Sequence, residues 1–168
     1  MSEIRRPRTG FGQQSANELL TDPVNRRLLE ELPAAPRSTM SALARRVGMS
    51  PPAVTERVQR MERAGVIAGW RMEVDPAALG LPLSVFVRIR PGPGQAGRLV
   101  EQATALPQVT EAHHITGEDC FLLRVFAASV DDLSDILGRL SLFGETTSSV
   151  VLSSPIPGRA LPLPTAER

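Results

Sequence analysis

The stretch Leu43–Ile67, LARRVGMSPPAVTERVQRMERAGVI, admits few local structures. Gly48, Ser50 and the pair Pro51–Pro52 interrupt what would otherwise run on as one arginine-rich helix. Glycine closes a helix because it enters the left-handed conformation without strain, and proline is tolerated in a first turn, where its missing N–H has no partner to lose. The pattern therefore predicts one helix in STMSALARRVG, capped by Ser38 or Thr39 and ended by Gly48. A second follows, capped by Ser50, with both prolines in its first turn and Gly65 closing it. Leu43, Ala44 and Val47 share a face of the first; Val54, Val58 and Met61 form the inner stripe of the second. Ala44, Gly48 and Val54 stand four and six residues apart, the spacing of a helix-turn-helix. There a small residue allows close helix contact, a glycine makes the turn and a branched apolar residue anchors the second helix.

The flanking sequence extends this unit. TDPVNRRLLEEL predicts a preceding helix, with Asp22 as cap, Pro23 at its first position and Val24, Leu28 and Leu32 every fourth residue, stopped by Pro33 and Pro36. Residues 1–18 are polar and read as a flexible basic arm. GVIAGWRMEVDP alternates around Ile67, Trp70, Met72 and Val74, as a short strand or wing would. Beyond the hinge DPAALG the period changes: LSVFVRI, QVTEAHHITG, CFLLRVF and TTSSVVLS read as strands, GQAGRLVEQATAL and VDDLSDILGRL as helices. The order βαββαβ is that of the ferredoxin-like plait. The fold class is thus α+β, an N-terminal (winged) helix-turn-helix domain joined to a C-terminal plait. The expected divisions are 1–18 arm, 19–74 helix-turn-helix, 75–82 hinge, 83–153 plait and 154–168 proline-rich tail.

Charge separates the halves. Residues 1–74 carry a net +4 and residues 75–168 a net −3, although the whole chain carries only +1. A basic module on an acidic one points to a polyanion partner for the first half. At 42% apolar residues the chain can pack a core, and no run approaches the roughly 18 apolar residues of a membrane span. With no signal-peptide pattern at the start, the expected location is cytoplasmic, with no membrane partner. A single cysteine, Cys120, and two adjacent histidines supply neither a disulfide framework nor metal-ligand spacing. No nucleophile–base pair or phosphate-cradling loop is present, so no catalytic residue, cofactor or metal is expected.

With Val54, Val58 and Met61 inward, the helical period puts Ala53, Glu56, Gln59, Arg60 and Arg63 on or near the outward face, with Thr55 and Arg57 on its flanks. Arginines there can pair with guanine edges or clamp phosphates, and a helix N-terminus favours an anion. The candidate DNA contacts are Ser50, Thr55, Glu56, Arg57, Gln59 and Arg60, with Arg45 and Arg46 for the backbone. For Arg57 two roles stand open, phosphate contact or internal brace. One such module buries too little surface for a useful operator affinity, so a dimer reading two half-sites is expected.

Three features together, the helix-turn-helix, RVQRMERAGVIAGW and the downstream HHITGEDCFLLRV, resemble the Lrp/AsnC (feast/famine) family of transcription regulators from about Leu20 to about Leu152. The resemblance implies a DNA-binding, non-enzymatic regulator of double-stranded operator DNA, a homodimer joined through the plaits and assembling to a tetramer or octamer, and a small effector, an amino acid, near the turn. Asn25 departs from the family, which often has aspartate there, and so does Cys120. On its own residues HHITGEDC reads as a plain β-turn with Gly117 supplying the unusual backbone angle. The resemblance makes His113, Thr116, Gly117, Glu118, Asp119 and Cys120 effector-binding candidates. Two alternatives stand beside it: an enzyme resembling the sirohaem decarboxylases, which would rest on His113 and His114, and an architectural DNA-binding protein without an effector.

Overall fold

The computed structural model describes residues 11–118 and 120–164. The chain divides into two compact units, one holding the residues up to Arg71 together with those from Gly158 onward, the other Met72–Pro157. No helix among the described residues is long and apolar enough to cross a membrane.

The first unit is built from four helices, α1 (Phe11–Thr21), α2 (Pro23–Ala34), α3 (Met40–Val47) and α4 (Pro51–Arg63). Local chemistry sets most of their ends. Asp22 caps α2 by accepting from the Val24 and Asn25 amides, with Pro23 in the first turn. Thr39, one of the two residues expected to cap α3, accepts from the Ala42 amide, and Gly48 ends that helix in the left-handed conformation at φ 68°. Leu28, Leu43, Val54 and Met61 are fully or almost fully buried, and Leu19, Leu32, Ala44 and Val58 complete the core around them.

Three expectations are corrected here. The sequence predicts a flexible arm to residue 18, whereas α1 begins at Phe11; residues 1–10 lie outside the described residues. An isolated helix of this length is marginal in water. Its stability comes from packing, since Leu19 is buried in the core, and from capping of its last carbonyls, described below. Second, Ser50 occupies the N-cap position of α4 but makes no side-chain cap bond. Pro52, at the second helical position, removes one of the two amides such a cap would use. Third, the residues around Trp70 and Met72 form no strand. Alternation sets side-chain direction only, and a strand needs a ladder partner; among the described residues the first unit contains no strand to supply one. Trp70 instead donates its indole N–H to Glu62 Oε1 on α4, 2.7 Å away.

The second unit is the expected plait, β1 (Leu83–Pro91), α5 (Ala96–Ala105), β2 (Val109–His114), β3 (Phe121–Ala127), α6 (Val130–Ser141) and β4 (Gly144–Val150). The sheet order is β2-β3-β1-β4, every pair antiparallel. Each βαβ half is thus split by a strand of the other. Alternation decides the faces: Val85, Val87, Ile89, Phe121, Leu123, Val125 and Ala127 meet Leu99, Ala103, Leu133, Ile136 and Leu140 of the helices. Two side chains cap the start of α6, Ser129 Oγ accepting from the Asp132 amide and Asp132 Oδ2 from the Ala128 amide. Gly144 is required where β4 meets β1, because a Cβ there would lie 2.1 Å from the Arg90 carbonyl oxygen.

Candidate functional site

On α4 the exposed surface has two flanks. Pro52, Thr55, Gln59 and Glu62 follow one another at helical spacing on one side. Ala53, Glu56, Arg57, Arg60 and Arg63 run along the other and wall a groove of about 730 Å³, whose opposite side is formed by Glu18, Leu19, Asp22 and Asn25. The groove carries three guanidinium and three carboxylate groups, so it is close to neutral, whereas the Thr55–Gln59 flank is open and uncharged except for Glu62.

The expected DNA contacts divide accordingly. Gln59 and Arg60 are exposed on different flanks, and Glu56 is exposed beside Arg60. Thr55 directs its hydroxyl to the Pro51 carbonyl at 3.0 Å. Arg45 is exposed in the last turn of α3, while Arg46 pairs with Glu31 at 3.1 Å and ties α3 to α2. Arg57 is bonded inside the unit. Its Nη1 donates to Asp22 Oδ2 at 2.5 Å and to Asn25 Oδ1 at 2.9 Å. The Arg57 hydrogen bond holds the Asp22 carboxyl below the usual carboxylate range, with the two backbone amides at the α2 cap adding to it and partial burial opposing it. Asn25 is 3% exposed and satisfied on both sides: its Nδ2 donates to the Leu19 carbonyl at 3.0 Å. Sequence spacing gives no sign of this, because Asp22 and Arg57 are 35 residues apart.

In the plait the turn after β2 holds Thr116, Gly117 and Glu118, all exposed, with Gly117 at φ 112° and open space where a side chain would start. Glu118 meets Arg90 of β1 at 2.5 Å, and Arg90 also approaches Glu145 at 3.7 Å. Asp119 lies outside the described residues. Cys120 is half-buried against the plait core, and its carbonyl accepts from the Ile115 amide at 2.7 Å, closing the turn. The two histidines part as strand neighbours must. His113 opposes Leu122 and approaches Glu111 at 3.5 Å; His114 opposes Phe121 on the helix-covered face, ring centroids 4.9 Å apart. Among the described residues no three His, Cys, Asp or Glu side chains gather as a metal site.

The helices cover one face of the sheet. The other presents Phe86, 38% exposed, with half-buried Leu122, Arg124 and Phe126. The Arg124 guanidinium lies 5.8 Å from the Phe86 ring centre and 5.1 Å from that of Phe126, and pairs with Glu111 at 3.5 Å. Arg88, Arg90 and Glu145 stand exposed on the surrounding strands. This face has an aromatic centre and a charged rim.

The structure is thus that of a two-module protein, a helix-turn-helix unit followed by a plait with an exposed glycine turn. Residues 21–68 match the winged helix-turn-helix DNA-binding family, and residues 84–161 the Lrp/AsnC ligand binding domain. The chain is 32% identical over 132 residues to the HTH-type transcriptional regulator LrpC of Bacillus subtilis, covering 79% of this chain and 92% of that one. It is 36% identical over 141 residues to LrpA of Mycobacterium tuberculosis, covering 82% and 93%. The feast or famine regulatory protein from M. tuberculosis, solved in complex with L-methionine, superposes with a TM-score of 0.77 at 34% identity over 85% of this chain and 99% of that one. The chain belongs to the Lrp/AsnC family of transcriptional regulators.

Proposed function

We propose that this chain is a cytoplasmic, sequence-specific regulator whose helix α4 reads operator DNA, whose plait joins two copies, and whose 115–120 turn answers to an amino acid. The domain roles follow: α1–α4 and the chain to Arg71 for DNA, 75–82 as hinge, 83–153 for effector and assembly. The observation that carries the reading is the α3–turn–α4 arrangement. Gly48 in its left-handed turn and buried Ala44 and Val54 bring α3 and α4 together, leaving Thr55, Gln59 and Arg60 on exposed or half-exposed surface. Gln59 suits adenine and Arg60 guanine or a phosphate. The open sheet face supports the homodimer, since an apolar centre inside a charged rim is the anatomy of an interface. The Arg124 Nε and Ser84 Oγ, both buried without a hydrogen-bond partner, also stand beside that face. L-methionine in the M. tuberculosis relative supports an amino acid as the effector class.

The test is selection of duplexes from a random library by the full-length protein, then fluorescence anisotropy on a winner and on its scrambled form, with and without each of the twenty amino acids. Selective binding shifted by one amino acid is the expected outcome. Selective binding that none of them shifts would leave an effector-independent DNA-binding protein. Equal affinity for selected and scrambled duplexes would sink the reading of α4.

A further inference from the structure

The corner between α1 and α2 is tied by its own side chains. The last four carbonyls of a helix lack intrahelical donors. At the end of α1, Thr21 Oγ1 donates to the Glu18 carbonyl at 2.7 Å and Asn25 Nδ2 to the Leu19 carbonyl at 3.0 Å. Asp22 meanwhile caps the start of α2. Two of these three residues also receive α4, since Arg57 donates to both Asp22 and Asn25.

Asn25 is the element common to both connections. It is the one polar residue buried as a whole among the described residues, and it works in both senses, donating to α1 and accepting from α4. The amide has that dual capacity; an aspartate of the same shape offers acceptors only and would set a carboxylate oxygen against the Leu19 carbonyl. All of α1 except its final residue precedes the segment 21–68 that matches the DNA-binding family. The connection therefore adds to the DNA-binding unit an element that the family match does not contain.

We propose that α1 is a working part of the DNA-binding unit, and that Asn25 is the positioning residue through which it fixes Arg57 and hence the pose of α4. This rests on the reading of α4 as the DNA-reading helix. Contacts to phosphates tolerate small shifts of a helix, whereas pairing with base edges is geometrically demanding. Loosening the tie accordingly lowers discrimination between sequences more than it lowers affinity for DNA in general.

The experiment uses the full-length protein with Asn25→Asp, which removes the donor and keeps the shape, and Leu19→Ala, which loosens α1 without touching Asn25 or the net charge. Hydrogen exchange followed by mass spectrometry on peptides covering 11–21 reads α1, and anisotropy on the selected and scrambled duplexes reads discrimination. In both variants exchange in α1 rises, the selected-to-scrambled affinity ratio falls about tenfold, and the affinity for scrambled DNA falls less than about twofold. Faster exchange with an unchanged ratio would make α1 a mere leader and overturn the proposal. Unchanged exchange in Asn25→Asp would show that the amide is not the tie, with the same consequence. Should Asn25→Asp fail to fold, Leu19→Ala decides whether α1 sets discrimination, and an unchanged ratio there overturns the proposal. A wild-type protein that does not discriminate at all refutes the parent reading instead, and this one with it.

Discussion

Replacing Arg57 with alanine separates a brace from a phosphate contact. The bond to Asn25 Oδ1 reaches a buried acceptor, and losing such a charge-assisted bond costs about 1.5–3 kcal/mol. The bond to Asp22 is worth less, about 0–1 kcal/mol, because 31% of the Arg57 side chain and 32% of the Asp22 side chain face solvent. Together the loss is about 1.5–4 kcal/mol. Trp70 is the only tryptophan in a chain without tyrosine, and it lies in the first unit, bonded to α4 through Glu62. Its fluorescence therefore follows unfolding of that unit alone. With a urea slope of about 1–2 kcal/mol/M for so small a unit, the midpoint of Arg57→Ala falls by about 1–4 M. The salt dependence of binding to a scrambled duplex stays unchanged. A midpoint shift below about 0.3 M, together with a salt slope shallower by about two for the dimer, would refute the brace and make Arg57 a phosphate ligand.

The Asp22 carboxyl is held below its ordinary value by Arg57. Its folded pKa is depressed, so its contribution is complete above the unfolded value of about 4 and is lost as pH falls through the folded one. The stability gap between wild type and Asp22→Asn, read from Trp70, should close on acidification below about pH 4 and stay constant above about pH 5; a gap that widens in acid would contradict the pairing. Gly144→Ala forces a Cβ into the Arg90–Pro91 backbone and should destabilise the plait by about 1–3 kcal/mol or more. Calorimetry would show this in a transition that Trp70 fluorescence does not follow, and an unchanged transition would mean that β4 yields freely. Phe86→Glu places a charge at the centre of the open sheet face and should raise the dissociation constant of the dimer at least about tenfold by sedimentation equilibrium; an unaltered constant would move the interface elsewhere.

Sequence reading reached the parts of the fold whose causes are local. Helix α4 begins at Pro51 because two prolines leave no other place for it, α3 ends at Gly48, and the alternation of LSVFVRI assigns Val85, Val87 and Ile89 to the core. It failed where the cause lies far along the chain. Helix α1 carries a weak apolar pattern and exists by docking Leu19. The strand expected around Trp70 had the right period and no partner. For the candidate site, the outward face of α4 was legible from periodicity, whereas the pairing of Arg57 with Asp22 and of Arg46 with Glu31 was not. An arginine on a helix surface carries no mark of whether its partner is a phosphate or a carboxylate on another helix.

That distinction fixes how strongly binding should depend on salt. Arg46 and Arg57 are committed to Glu31 and Asp22, so on α3 and α4 the arginines left to meet DNA are Arg45, Arg60 and Arg63. Two of those three border a groove that also holds Glu18, Asp22 and Glu56, which lowers the local positive potential. Each phosphate neutralised adds about 0.9 to the slope of log affinity against log salt, so three per protomer give about 5 for a dimer. That value is for the scrambled duplex, where phosphate contacts dominate. A slope near 5 would mean that the internal pairs persist on DNA. A slope approaching about 10 would mean that Arg46 and Arg57 leave their carboxylates for phosphates, and that the braces of the free protein are dismantled when it binds. The Asp22→Asn variant distinguishes these cases: it should leave a slope near 5 untouched, whereas in the second case it frees Arg57 beforehand and raises affinity without changing the slope.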